Sequence, residues 1–211
     1  MNTHRTFLSA LSLTAILAVA AGLASAGDHP GSGPATAAIG KPAPDFTLKD
    51  ASGKTYTLSE FKGKNVVLQW INPDCPVCKR VSADGLVSNM LKDLKSLDKE
   101  LVHLAINSTH YMKPDAGAKY FKAHKIESPV LIDADGVVGH LYEAKTTPHM
   151  FVIDAMGVLR YSGALDDDSR GRSGDEATNY VVNAVRQIIA DEEVSPSKTK
   201  PYGCSVKYKR K

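Results

Sequence analysis

The sequence predicts an α/β fold: a mixed central sheet flanked by helices, with an N-terminal β-hairpin. Three observations carry that prediction. Short apolar runs of strand length alternate with segments of helical period, the last two strands follow one another across a single glycine turn, and a hairpin signal precedes the first core strand.

The elements follow in order. Phe46-Thr-Leu and Thr55-Tyr-Thr-Leu flank Asp50-Ala-Ser-Gly53, which reads as the hairpin. Ser59 is expected to cap a short turn ending at Gly63. Val66–Ile71 (VVLQWI) is mostly apolar, as a strand buried on both faces should be. Val87, Met90, Leu91, Leu94 and Leu97 then recur at helical spacing, with Gly85 weakening or kinking the helix early. Leu101–Ile106 is the next strand, Pro114–His124 a helix, Val130–Asp133 a short strand, and Val137, Val138, Leu141 and Tyr142 a further helical turn or two. MFVID (Met150–Asp154), Gly157 and Val158–Ser162 form a closing hairpin. A last helix places Val181, Val182, Val185, Ile188 and Ile189 on one face. No internal repeat is present.

The ends set the compartment. Residues 1–26 read as an export signal: His4 and Arg5, an apolar core from Phe7 to Leu23, and the small-x-small site Ala24-Ser25-Ala26. That core is short for a membrane span and no basic stop-transfer cluster follows, so no stable membrane insertion is expected once it is cleaved. Loss of Arg5 takes the formal net charge from +3 to +2, too near neutral to suggest nucleic-acid binding. Residues 27–40, rich in Gly, Pro and Ala, read as a flexible linker. Residues 41–192 read as the domain, and 193–211 as a basic C-terminal tail. A periplasmic or extracellular location follows, where disulfides persist.

The chemistry centres on NPDCPVCK, Asn72–Lys79. Cys75 falls where a strand ends and a helix begins, and Pro76 suits the first helical position because its missing N–H would be unpaired there anyway. The free amides and dipole of the helix favour a thiolate at Cys75. Cys78, one turn on, can attack a mixed disulfide from behind, so the spacing supports two-step exchange with protein or small-molecule disulfides and thiols. A zinc site would need a second pair, and the chain has only one further cysteine, Cys204. A two-residue loop makes a poor staple. No cofactor or resident metal is called for.

The order of elements, Cys75-Pro-Val-Cys78 after the first core strand, and Thr147-Pro148 before MFVID together resemble the thioredoxin-like superfamily. The resemblance is to the branch shared by alkyl hydroperoxide reductases and thiol-specific antioxidant proteins, and it runs from about Pro42 to Ile189. It implies a thioredoxin-like fold, a cis bond before Pro148 packed against the redox pair, and a substrate groove shaped by Thr147, Pro148 and Pro76. There the exposed edge of Thr147 would take an extended substrate segment by strand addition. It also implies that His149 sits beside the sulfurs, either tuning the thiolate or joining the cysteines and Met150 in holding copper.

The sequence departs from those relatives in places. In the register of Cys75, Asn72 and Leu68 occupy the Thr and Pro places of the peroxidase motif, and no arginine stands out to replace the usual one. Classical thioredoxins carry Trp immediately before the first cysteine and a buried acid six residues before it. Here Asp74 and Gln69 stand in those places, so Asp74, Gln69 and His149 are the candidate tuning groups. A redoxin-like subgroup shares Cys-Pro after the first strand and a late Gly-Cys-x-x-Lys, matched here by Gly203-Cys204-Ser-Val-Lys207. That resemblance implies exchange between Cys75 and Cys204, the alternative being a spare thiol. Three functions are thus expected in order: an exported thiol–disulfide oxidoreductase, a hydroperoxide-reducing thiol peroxidase with an antioxidant role, and a copper-binding thioredoxin-like module. Asp166-Asp-Asp168 is read as a solvated loop, a poor match to calcium-loop spacing.

Overall fold

The computed structural model describes residues 36–210. The expected signal, residues 1–26, lies outside that range, as does most of the expected linker.

Two strands, β1 (Thr47–Asp50) and β2 (Thr55–Thr57), form the N-terminal hairpin, followed by a single 3-10 turn at Leu58–Phe61. The residue before that turn is Thr57, whose N–H donates to Glu60 Oε2 at 3.3 Å. The cap is therefore two residues earlier than Ser59, whose own N–H donates to Asp45. The core strands are β3 (Val66–Trp70), β4 (Val102–Asn107) and β5 (Val130–Ile132). After β5 the chain adds a two-residue strand β6 (Thr146–Thr147), then β7 (His149–Ile153), β8 (Leu159–Gly163) and, in the tail, β9 (Cys204–Ser205).

The main sheet has seven strands in the order β2-β1-β5-β4-β3-β7-β8. β3, β4 and β5 run parallel, and β1, β2, β7 and β8 pair antiparallel at the edges. The mixed character follows from the connections: helical crossovers between β3, β4 and β5 keep them parallel, whereas the Gly157 turn reverses β7 into β8. β3 and β7 are fully buried, which is why they read as continuous apolar runs rather than alternating ones.

Helices α1 (Pro76–Ala83), α2 (Leu86–Leu97), α3 (Ala116–Ala123) and α5 (Tyr180–Ile189) cover one face of the sheet, and α4 (Val137–Leu141) the other. Gly85 does more than kink the expected helix. At φ +76° it sits in the left-handed region and ends one helix before the next starts. Within α5, Val181, Val182 and Val185 are buried but Ile189 is 49% exposed, because the helix ends there.

Two expected boundaries move. Ala37 N–H donates to the Leu141 carbonyl and Gly40 N–H to Leu159, so the domain begins inside the expected linker. Residues 193–210 are not a separate tail: the Ser162 N–H donates to the Ser197 carbonyl and the Thr199 N–H to the Ser162 carbonyl, Val194 and Val206 are buried, and β9 pairs with β6.

Candidate functional site

β3 delivers the chain to Asn72, and an Asx turn there reverses it: Asp74 N–H donates to Asn72 Oδ1 at 2.8 Å and Cys75 N–H to the Asn72 carbonyl at 3.0 Å. Cys75 is then the N-cap of α1, in extended conformation, with Pro76 in the first helical turn. Cys75 is 2% exposed and Cys78 1%. All three cysteines are free thiols, and Cys204 is half-buried.

The Thr147–Pro148 bond is cis, and the Cys75 sulfur lies 3.1 Å from the Thr147 carbonyl oxygen. Thr147 has its other edge paired with the tail: Thr147 stands opposite Cys204, and Thr146 opposite Ser205, in an antiparallel ladder. The strand edge expected to receive a substrate segment is thus occupied by the protein's own C-terminal residues. The close approach has a stereochemical signature at Gly203, whose φ is +121°; a Cβ there would lie 2.2 Å from the Thr147 carbonyl oxygen.

Of the three sulfurs, Cys75 is the one whose surroundings favour the thiolate. Its pKa is lowered to about 4, first by the Cys78 thiol, which donates to it, then by the Cys204 thiol and the Cys78 amide, against the opposing effect of burial. Cys78 is pushed well above the ordinary thiol range by its bond to Cys75 and by burial, and Cys204 is raised by the same bond.

The remaining candidates separate by face. Pro76 is exposed beside Cys75, at the helix start. Asp74 is exposed, with its N–H donating to Asn72 Oδ1. Gln69 is buried on the cysteine-bearing side of β3 with Val67 and Ile71, but its Oε1 lies 3.1 Å from His103 Nε2, whose Nδ1 meets Ser128 at 2.8 Å. It is satisfied as a neutral core pair, and burial holds His103 at a pKa of about 3.

His149 does not sit beside the sulfurs. Alternation along β7 puts Met150 in the cluster with Cys75 and Cys78 and turns His149 to the opposite side, 4.4 Å from the Phe151 ring. Its Nδ1 accepts the Lys145 N–H at 3.2 Å, Nε2 meets Ser162, and burial lowers its pKa to about 3. A copper site built from His149 and the cysteines therefore loses its imidazole, and among the described residues no cluster of three His, Cys, Asp or Glu side chains is placed to hold a metal.

Several participants carry no signal in sequence. Tyr120 on α3 donates to the Cys78 carbonyl at 2.6 Å and meets Ser82, tying α1 in place. Tyr202 donates to Asp166, and Tyr208 donates to the Ala144 carbonyl at 2.8 Å while stacking 4.0 Å from the His140 ring. The acidic run is solvated only in part: Asp167 is exposed, but Asp166 and Asp168 are buried, the first taking Tyr202 and the second accepting the Ser173 N–H. The pattern Pro-Tyr-Gly-Cys was the one available hint, a glycine forced next to a cysteine.

A mixed sheet with helices on both faces, a dithiol at a helix start and a cis-proline turn against it define a thioredoxin-like protein. Within that class, residues 39–162 match the AhpC/TSA family, and the chain belongs to it. It is 30% identical to the thiol-disulfide oxidoreductase ResA of Bacillus subtilis over 56% of this chain and 63% of that protein, so the match spans less than two thirds of ResA. It is 32% identical to peroxiredoxin-2 of Cricetulus griseus over 80% of this chain and 89% of that one. Among solved structures, a hypothetical protein of Sinorhizobium meliloti 1021 superposes with a TM-score of 0.72 at 26% identity, covering 83% of this chain and 97% of that one.

Proposed function

We propose that this protein is an exported thiol–disulfide oxidoreductase in which Cys75 is the nucleophile and Cys78 the resolving thiol. The observation that carries this reading is geometric: the Cys75 sulfur sits at the start of α1, 3.1 Å from the Thr147 carbonyl oxygen of the Thr147–Pro148 turn, with Cys78 one helical turn on. A thiolate attacks a disulfide sulfur, and the mixed disulfide then lies within reach of Cys78, whose attack releases the partner's thiol and closes Cys75–Cys78. The similarity to ResA supports this chemistry. The low pKa makes Cys75 a good leaving group as well, which suits a protein that passes disulfides in either direction.

A second reading, hydroperoxide reduction, has the longer similarity to peroxiredoxin-2 behind it. Against it stands Asn72, which occupies the place of the peroxide-holding hydroxyl and spends its Oδ1 on the Asp74 amide. The two separate in one assay pair. Insulin reduction that disappears in Cys75→Ser supports the oxidoreductase, and consumption of hydrogen peroxide by the reduced wild type, at rates exceeding its disulfide exchange, would replace that reading with the second.

A further inference from the structure

Cys75 and Cys78 are almost sealed from solvent, and Cys204 is the most exposed of the three sulfurs. The strand that carries Cys204 is fastened on both sides. Upstream, the Thr199 N–H donates to the Ser162 carbonyl, Thr199 Oγ1 accepts the Ala164 N–H, and Tyr202 donates to Asp166. Downstream, Val206 N–H donates to the Lys145 carbonyl, His110 N–H donates to Lys207, and Tyr208 is held by Ala144 and His140. The Thr147 edge is consumed by this strand, and Gly203 lets it approach closer than any other residue would.

We propose that Cys204 is the sulfur through which outside thiols and disulfides reach the site, and that its strand is a fixed part of the exchange surface. The proposal rests on the oxidoreductase reading above and adds its point of entry. The partner it fits is a small thiol or disulfide, or a cysteine already exposed on a protein surface, rather than an extended segment adding to Thr147.

The steps balance. Cys204 attacks an outside disulfide RSSR, forming Cys204–SR, and its proton leaves on the departing sulfur as RSH. The Cys75 thiolate then attacks the Cys204 sulfur, forming Cys75–Cys204 and expelling the second RS⁻. Cys78 attacks Cys75, closing Cys75–Cys78; the electron pair leaves on Cys204, and the proton lost by Cys78 ends there. Two protein thiols are oxidised and one outside disulfide becomes two thiols. In reverse, an outside thiolate attacks Cys204 in the Cys75–Cys204 bond, and Cys75 leaves as the stabilised thiolate.

Two measurements test this. The first needs no exchange activity: a brief pulse of a bulky maleimide on reduced, folded wild type, followed by peptide mapping. Labelling at Cys204 ahead of Cys75 and Cys78 is expected; labelling at Cys75 first overturns the assignment. The second follows exchange with the aromatic disulfide 5,5′-dithiobis(2-nitrobenzoate). Cys204→Ser should slow the reaction at least about tenfold, because access controls exchange as strongly as thiolate content. The double variant Cys204→Ser, Tyr208→Ala should regain speed as the strand loosens and Cys75 is uncovered. A Cys204→Ser rate equal to or above wild type overturns the proposal and leaves the dithiol reading standing. Absence of exchange in the wild type and in Tyr208→Ala alike overturns the dithiol reading itself, and the entry route with it.

Discussion

Cys75 and Cys204 arrive at one point by different routes. Cys75 gets there within the eight residues Asn72–Lys79, by an Asx turn, an N-cap and a helix. Cys204 gets there on a two-residue strand whose partner, Thr147, lies 57 residues earlier in the chain. The first sulfur is placed by local backbone geometry. The second is placed by tertiary fastening, with Gly203 allowing the approach and Tyr202 and Tyr208 holding the ends. The difference teaches that local and long-range placement converge on one sulfur: Cys78 on the helix and Cys204 on the tail strand both favour the Cys75 thiolate.

The comparison breaks most completely at Cys75. Cys75→Ser should abolish disulfide exchange and the ultraviolet absorbance of the thiolate, whereas Cys204→Ala should keep that absorbance and raise the pKa at which it disappears, since one donor to Cys75 is lost. In the wild type the absorbance should persist on acidification until about pH 4. The sign for stability follows. Folding depresses the Cys75 pKa to about 4 and those of His103 and His149 to about 3, so the unfolded chain binds more protons as the pH falls. Reduced protein should lose stability on acidification, first through Cys75 from the ordinary thiol range downward, then also through the histidines below their ordinary range. Denaturant midpoints across pH would reveal a flat or rising profile if these assignments are wrong.

Gly203→Ala comes next. The added methyl meets the Thr147 carbonyl, and forcing the strand aside should cost about 1–3 kcal/mol in denaturant titrations and increase maleimide labelling of Cys75. An unchanged stability with unchanged labelling would mean that the strand is not held against Thr147. Tyr208→Phe keeps the ring stack on His140 and removes the bond to Ala144, at a cost of about 1 kcal/mol. Smallest of all, His149→Gln should leave the pH midpoint of the thiolate where it is, because the imidazole faces away from the sulfurs; a displaced midpoint would put His149 back in the site.

How far the sequence reached follows from the same division. VVLQWI, Cys-Pro-Val-Cys and Thr-Pro before MFVID are strong local signals, and they located the main sheet, the helix start and the turn facing it. β9 was invisible because two residues carry no alternation and its partner is remote. His149 was misplaced for a related reason. A strand buried on both faces shows no polar-apolar contrast, so nothing in HMFVI says which side its first residue takes. Gln69 posed the opposite case: its parity with Val67 and Ile71 put it on the cysteine side, but only the fold reveals that His103 satisfies it. The acidic run looked exposed by composition alone, and Asp166 within it is buried, bonded to Tyr202 of the returning tail.

The third sulfur is encoded 126 residues after Cys78. During translation the Cys-Pro-Val-Cys pair therefore emerges from the ribosome well before Cys204 exists, and for that interval the thiolate has neither its second donor nor its cover. Of the three sulfurs, the one that covers the site is the last to be made, so the Cys-Pro-Val-Cys pair is complete before its cover exists.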